Sequence, residues 1–190
     1  MVYQVGDVLW GYFQIQEHIS TGGMAEVYRV IGGEDGTSQV AKVVRSDYIM
    51  DEAHRDRYVS FFRQEVDIHA RMQHPQIVRC YENHVDHQPP GMVLQYVPGE
   101  DLRSIINGLN GQAMENSAVL QVIQQISAAL MYLHQQGFCH CDLKPGNILR
   151  AEDGNYYLTD FGVAQPMGHS GIPKGTWYCM APEQFEQGMI

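Results

Sequence analysis

Apolar and polar residues change period along the chain, and each change marks an element. Residues 8–45 are rich in β-branched and aromatic side chains. Val27-Tyr28-Arg29-Val30-Ile31 and Gln39-Val40-Ala41-Lys42-Val43-Val44 flank the turn-forming Gly32-Gly33-Glu34-Asp35-Gly36, which predicts an antiparallel hairpin. From 55 to 73 the period lengthens to three and four. Tyr58, Phe61, Phe62, Glu65, Ile68, His69 and Met72 then share one face of a helix that His74-Pro75 ends. Glu65 falls inside that apolar stripe, where a carboxylate needs a cationic partner to offset its desolvation.

Two further strands are predicted over 77–81 and 92–97, the second broken by Pro98-Gly99. The chain then reads as helical to Gln136, with Val119, Val122, Ile123, Ile126, Leu130 and Leu133 as a buried stripe and Gly137 as its stop. Segments 147–150 and 156–159 predict a short hairpin turning at Glu152-Asp153-Gly154-Asn155. The order is a small antiparallel β region with one helix (1–97) and then a mainly helical region carrying loops (98–190). That is an α+β fold with a hinge near 95–99.

Composition narrows the partners. The 190 residues are 44% apolar, as expected of an ordinary globular chain, and 22 acidic against 12 basic residues give a formal net charge of -10. No Lys/Arg block interrupts the acidity, so nucleic acid and anionic membranes are not expected as partners. No apolar run reaches the 18 or more residues of a membrane span. Cys80, Cys139, Cys141 and Cys179 form no CxxC pair. Cys139-His140-Cys141 lacks a second ligand pair for zinc, and His84-x-x-His87 beside Asp86 reads as a solvated loop. Reduced thiols and the lack of a basic start before the first apolar residues predict a soluble, cytoplasmic chain.

Candidate chemistry concentrates in His140-Cys141-Asp142-Leu143-Lys144-Pro145-Gly146-Asn147, followed by Asp160-Phe161-Gly162 eighteen residues after Asp142. Phosphoryl transfer needs a carboxylate to orient the attacking hydroxyl, oxygen ligands for magnesium and a cation on the transferred group. Asp142, Asn147, Asp160 and Lys144 supply those types. The two motifs resemble the catalytic loop and DFG motif of the protein kinase family. The resemblance extends from about residue 10 to residue 187, with a Gly-Gly-Met form of the glycine-rich loop that looks like bacterial members. It implies a small antiparallel β N-lobe with one helix and a helical C-lobe.

By that resemblance Asp142 is the catalytic base, Lys144 steadies the γ-phosphate, and Asn147 and Asp160 bind Mg2+. Lys144 two residues after the Asp points to Ser/Thr rather than Tyr as acceptor. Lys42, in Val40-Ala41-Lys42, holds the α- and β-phosphates of ATP and pairs with Glu65. The loop Ser20-Thr21-Gly22-Gly23-Met24-Ala25-Glu26-Val27 keeps only the central Gly of GxGxxG. Ser20, Gly22, Gly23 and Ala25 would approach phosphate through the backbone. A dinucleotide-binding reading would require a helix after the loop, whereas strand-like residues follow. Val27, Val40 and Leu149 are expected against the nucleotide. Met92-Val93-Leu94-Gln95-Tyr96-Val97-Pro98-Gly99 resembles the hinge, making Leu94 the gatekeeper and assigning adenine contacts to the backbone of Gln95 and Val97. Gly175-Thr176, Tyr178 and Ala181-Pro182-Glu183 resemble the end of the activation segment, whose Thr176 contacts the catalytic Asp and Lys. Ser/Thr-bearing proteins are the implied substrates.

Two departures stand out. Cys141 occupies the place of the Arg that commonly precedes the catalytic Asp and pairs with a loop phosphate, and the segment 163–174 carries only one hydroxyl, Ser170. Activity is therefore expected to be independent of loop phosphorylation. The sequence also ends seven residues after Glu183, without the later C-lobe helices of the family. The C-lobe is expected to be incomplete, its exposed face covered by a missing region or a partner. Rival readings are a pseudokinase-like binding module and a small-molecule phosphotransferase. The latter is not expected to carry Lys144, the DFG motif and the Gly175–Glu183 pattern together.

Overall fold

The structure is a computed structural model and describes residues 3–32, 36–168 and 175–184. Two compact units result, one of Met1–Arg71 with Arg79–Tyr96 and one of Met72–Val78 with Val97–Ile190.

The first unit is a six-stranded sheet with two helices. In chain order its elements are β1 (Val8–Leu9), β2 (Phe13–Thr21), β3 (Ala25–Gly32), β4 (Thr37–Val44), α1 (Ser46–Met50), α2 (Arg55–His69), β5 (Cys80–His84) and β6 (Gly91–Gln95). The strands are ordered β1-β2-β3-β4-β6-β5, and every neighbouring pair is antiparallel. Alternation sorts the side chains as the pleat requires. Leu9, Phe13, Ile15, Tyr28, Val30, Ala41, Val43 and Val93 form the core on one face. The register Val27↔Lys42↔Met92 crosses three strands on the other. The predicted hairpin is β3–β4, and its central residues Gly33-Glu34-Asp35 lie outside the described residues.

Helix α2 stops at His69, four residues short of the predicted 73. Ala70 N–H still reaches the Val66 carbonyl, but Arg71 N–H turns to Ile68, a three-residue step that tightens and closes the helix. Phe62, Glu65, Val66, Ile68 and His69 are buried, so Glu65 does sit in the apolar stripe.

The second unit contains β7 (Gly99–Asp101), α3 (Leu102–Gly108), α4 (Asn116–Gln135), β8 (Phe138–Cys139), β9 (Ile148–Ala151), β10 (Tyr156–Leu158) and β11 (Gln165–Pro166). The region read as continuously helical from 98 to 136 is thus a strand and two helices. Asp101 caps α3, its carboxylate accepting from Ser104 N–H at 3.1 Å and Ser104 Oγ at 2.7 Å. A loop around Asn110 and Gly111, both at positive φ, separates α3 from α4.

The stripe of α4 is narrower than predicted. Ile126 and Leu133 are buried with Ala129, Val122 and Leu130 are half-buried, and Val119 and Ile123 are exposed. Among the described residues the helix packs against β8 and β10, which cover only part of its face. Gln125 ties it down by accepting from Tyr156 N–H at 2.6 Å and donating to Asn155 at 3.1 Å. Gly137, at φ +82°, ends the helix as predicted, with its N–H on the His134 carbonyl.

Candidate active site

In the first unit the sheet and α2 bring Lys42 and Glu65 together as a buried ion pair, with 14% and 4% of their side chains exposed. Pattern alone demanded a cation for Glu65, and the neighbouring strand supplies it.

The glycine-rich loop is a tight connection between Thr21 and Glu26, which pair across β2 and β3. Gly22 N–H bonds to the Ala25 carbonyl at 2.8 Å. Ser20, Gly22 and Gly23 are exposed, Ala25 is buried and Val27 is half-buried. Arg45 braces the loop from the end of β4: its N–H donates to Met24 O at 3.0 Å and its guanidinium to Gly22 O at 3.3 Å. Val40 lies opposite Leu94, and Gln95 spends its backbone N–H on Arg79 O at 2.8 Å. Arg45 was not singled out from the sequence, where it reads as an ordinary strand-end cation.

In the second unit a single carboxylate collects three of the predicted residues. Asp142 is buried and accepts from Lys144 Nζ at 2.6 Å, Thr176 N–H at 2.7 Å and Asn147 Nδ2 at 3.2 Å. Lys144 also donates to Thr176 Oγ1 at 3.0 Å, and Asn147 Nδ2 to the Asp142 carbonyl at 2.9 Å. Burial pushes the Asp142 carboxyl up, but the hydrogen bonds from Lys144 and Thr176 outweigh it and hold its pKa below the usual range. The group is therefore ionised at neutral pH.

Asn147 anchors the start of the β9–β10 hairpin, and its carbonyl accepts from Thr159 N–H at 3.0 Å, beside Asp160. Asp160 itself is left-handed at φ +65°, as is Cys141 at φ +63°. Non-glycine residues rarely adopt this region, and such strain persists where surrounding contacts enforce it. Leu149 lies half-buried on β9, opposite Tyr157 and Asp101.

His140, quoted with the motif but given no role, proves to join its two halves. Its Nδ1 accepts from Asp142 N–H at 3.3 Å and its Nε2 bonds the Thr159 carbonyl at 3.1 Å, which fixes the tautomer with the proton on Nε2. The ring packs on Phe161 at 5.2 Å, and burial depresses its pKa so that it stays neutral. The Cys141 thiol donates to the Cys139 carbonyl. His84 is buried, stacked on Trp10 at 4.1 Å, and bonds Glu82 at 2.9 Å, so it is core rather than solvated loop. Gln184, also unforeseen, donates to the Cys141 carbonyl. Ser170 and the Glu183 side chain lie outside the described residues.

The protein kinase domain model matches residues 13–190. The chain belongs to the protein kinase family. It is 32% identical over 187 residues to a probable serine/threonine-protein kinase of Streptomyces coelicolor, covering 93% of this chain and 27% of that protein. With the serine/threonine-protein kinase PknA of Mycobacterium tuberculosis the identity is 31% over 192 residues, 95% of this chain and 43% of PknA. The chain thus spans less than half the length of these curated relatives. The crystal structure of the PknI kinase domain of Mycobacterium tuberculosis, a cysteine-to-alanine variant, superposes with a TM-score of 0.67 at 25% identity, over 90% of this chain and 67% of that one. The fold is the α+β kinase fold, with its curled antiparallel sheet in the first unit. Among the described residues no helix is long and apolar enough to cross a membrane, and no three His, Cys, Asp or Glu side chains gather as a metal site.

Proposed function

We propose that this chain is the catalytic part of a serine/threonine protein kinase that transfers the γ-phosphoryl group of ATP to hydroxyls of protein substrates. The observation that carries this reading is the Asp142 carboxylate gripped by Lys144, Thr176 and Asn147. Three donors on one carboxylate keep it ionised and fixed, which orienting an acceptor hydroxyl requires. With its pKa lowered, Asp142 is a weak base. It accepts the hydroxyl's hydrogen bond first, and the proton only as the new O–P bond forms and the bond from the γ-phosphorus to the β,γ-bridging oxygen breaks, releasing ADP. Lys144, two residues on, brings positive charge to the transferring group.

Bound magnesium supplies neutralisation of the nucleotide's phosphate charge. Asn147 and Asp160 suit it: the Asn147 amide spends its nitrogen on Asp142, leaving the oxygen outside those bonds, and the Asp160 carboxylate adds a second hard donor. In the first unit Lys42, oriented by Glu65, meets the α- and β-phosphates, while Ser20, Gly22, Gly23 and Ala25 offer backbone N–H groups. Val27, Val40 and Leu149 contribute apolar contact, and the backbone of Gln95 and Val97 reads adenine. Four free cysteines support a reducing, cytoplasmic setting.

The test is transfer from labelled ATP to a mixture of Ser/Thr- and Tyr-containing proteins. Asp142→Asn is expected to lower turnover by about two to four orders of magnitude while nucleotide affinity stays within twofold. Equal turnover by the variant, or phosphotyrosine as the main product, would remove the assignment.

A further inference from the structure

We propose that Gln184 is a positioning residue that seats the segment carrying Thr176 on the backbone of the catalytic loop. Its consequence for turnover rests on the kinase reading above; its geometry does not. The Gln184 side chain is used at both ends. Its Oε1 accepts from Ala181 N–H at 3.0 Å and its Nε2 donates to the Cys141 carbonyl at 3.1 Å. The first bond is the back-reaching half of a capping box, made by the residue three along from the one it caps, with Pro182 starting the turn. The second leaves the turn altogether and lands on the residue before Asp142.

That carbonyl is contacted twice by the same segment. Gly175, at φ +123°, packs so closely on it that a Cβ would collide with the oxygen. The segment therefore meets the Cys141 carbonyl at Gly175 and again at Gln184. Thr176 lies between these two attachments, its N–H on Asp142 Oδ1 and its hydroxyl receiving Lys144. The left-handed conformation of Cys141 belongs to the same arrangement. The attachment is made by a neutral amide and a backbone carbonyl. It requires no charge on side chain 141, whose thiol donates to the Cys139 carbonyl. A neutral clamp of this kind is also insensitive to ionic strength, unlike an ion pair.

Two variants separate the halves of the device. Gln184→Ala removes both bonds. Gln184→Glu keeps an acceptor for Ala181 N–H but turns a carboxylate on the Cys141 carbonyl, and it regains a donor only when protonated. Steady-state transfer to a protein acceptor and hydrogen exchange at the Thr176 amide are measured in the wild type and both variants. Gln184→Ala is expected to lower kcat/KM for the acceptor about tenfold, to speed Thr176 exchange about tenfold, and to leave the dissociation constant for MgATP within twofold. The deficit of Gln184→Glu is expected to be largest above pH 7 and to shrink as pH falls toward roughly 5, where the introduced carboxyl gains its proton. Wild-type kcat/KM together with wild-type Thr176 exchange in either folded variant overturns the inference. If the wild type transfers no phosphate, the kinase reading fails instead, and the exchange measurement alone decides the role of Gln184. Should Gln184→Ala not fold, Gln184→Glu, which retains the Ala181 bond, carries the same decision.

Discussion

Replacing Lys42 by Met tests the buried ion pair without removing bulk. Lys42 and Glu65 expose only 14% and 4% of their side chains, so neither charge is well solvated. Breaking such a pair from one side leaves a charge without its partner and costs ~3–5 kcal/mol. The partial exposure of the lysine favours the lower figure. For a chain of this length, ~3 kcal/mol corresponds to a drop in Tm of about 6–12 °C. The cost should depend on pH in a defined sense. Once the cation is gone, burial favours the protonated Glu65 carboxyl, raising its folded pKa above the unfolded value of ~4.3. A group raised in the folded state lends its stability fully below the unfolded pKa and loses it as pH rises through the folded one. The deficit of Lys42→Met should therefore be largest at pH 7.5 and shrink toward pH 5. Lys42→Met combined with Glu65→Leu should recover part of the loss, because the carboxylate of the broken pair is then removed as well. Urea melts at both pH values on the two single variants and the double variant measure all of this. A Lys42→Met protein within 0.5 kcal/mol of wild type at pH 7.5, or a deficit that grows on acidification, would refute the reasoning.

Other outcomes follow from the second unit. His140, held neutral by burial, protonates more readily in the unfolded chain, so its stabilising contribution should be intact above pH ~6.5. It should fall by up to ~1.4 kcal/mol per unit as pH drops below that value. His140→Gln should flatten the slope of melting temperature against pH between 5 and 7, and an unchanged slope would exclude this histidine as its source. Gly175→Ala should cost more than the ~1 kcal/mol of an ordinary glycine replacement, because φ is +123° and the new Cβ meets the Cys141 carbonyl, with faster Thr176 amide exchange as the readout. Asp160→Ala should abolish the magnesium-dependent part of the thermal shift produced by an ATP analogue, and a variant that keeps the full shift contradicts its role as a ligand. Ser170→Ala should leave transfer within a few-fold of wild type; a phosphatase-sensitive activity restored by modification at Ser170 would contradict that.

Much of the site was legible because its chemistry is local in sequence. Asp142, Lys144 and Asn147 fall within six residues, and one loop suffices to bring them to a common point. Glu65 was legible for a different reason, as a charge in the wrong place in a helical period. The break at Gly99–Asp101 was hidden because Leu102 and Ile106 continue a plausible helical spacing while the cap is made by the Asp101 side chain. The exposed end of the α4 stripe shows that amphipathic period reports what a helix could bury and not what covers it. His140 and Gln184 were missed because their roles are bonds to backbone amides and carbonyls, which leave no trace in residue identity. The one available signal for Gln184 was its place three residues after Ala181, the spacing of a capping glutamine.

The stacking of Trp10 on His84 has a spectroscopic consequence. The sequence holds two tryptophans, Trp10 and Trp177. Trp10 lies parallel to an imidazole at 4.1 Å and donates its indole N–H to the Pro89 carbonyl at 2.8 Å, while Trp177 is 73% exposed next to Thr176. Their emission should differ in wavelength and in access to a soluble quencher such as acrylamide, with Trp177 the red-shifted, readily quenched component. Each unit thus carries its own intrinsic fluorophore, and unfolding or ligand response in the two can be followed separately in unlabelled protein.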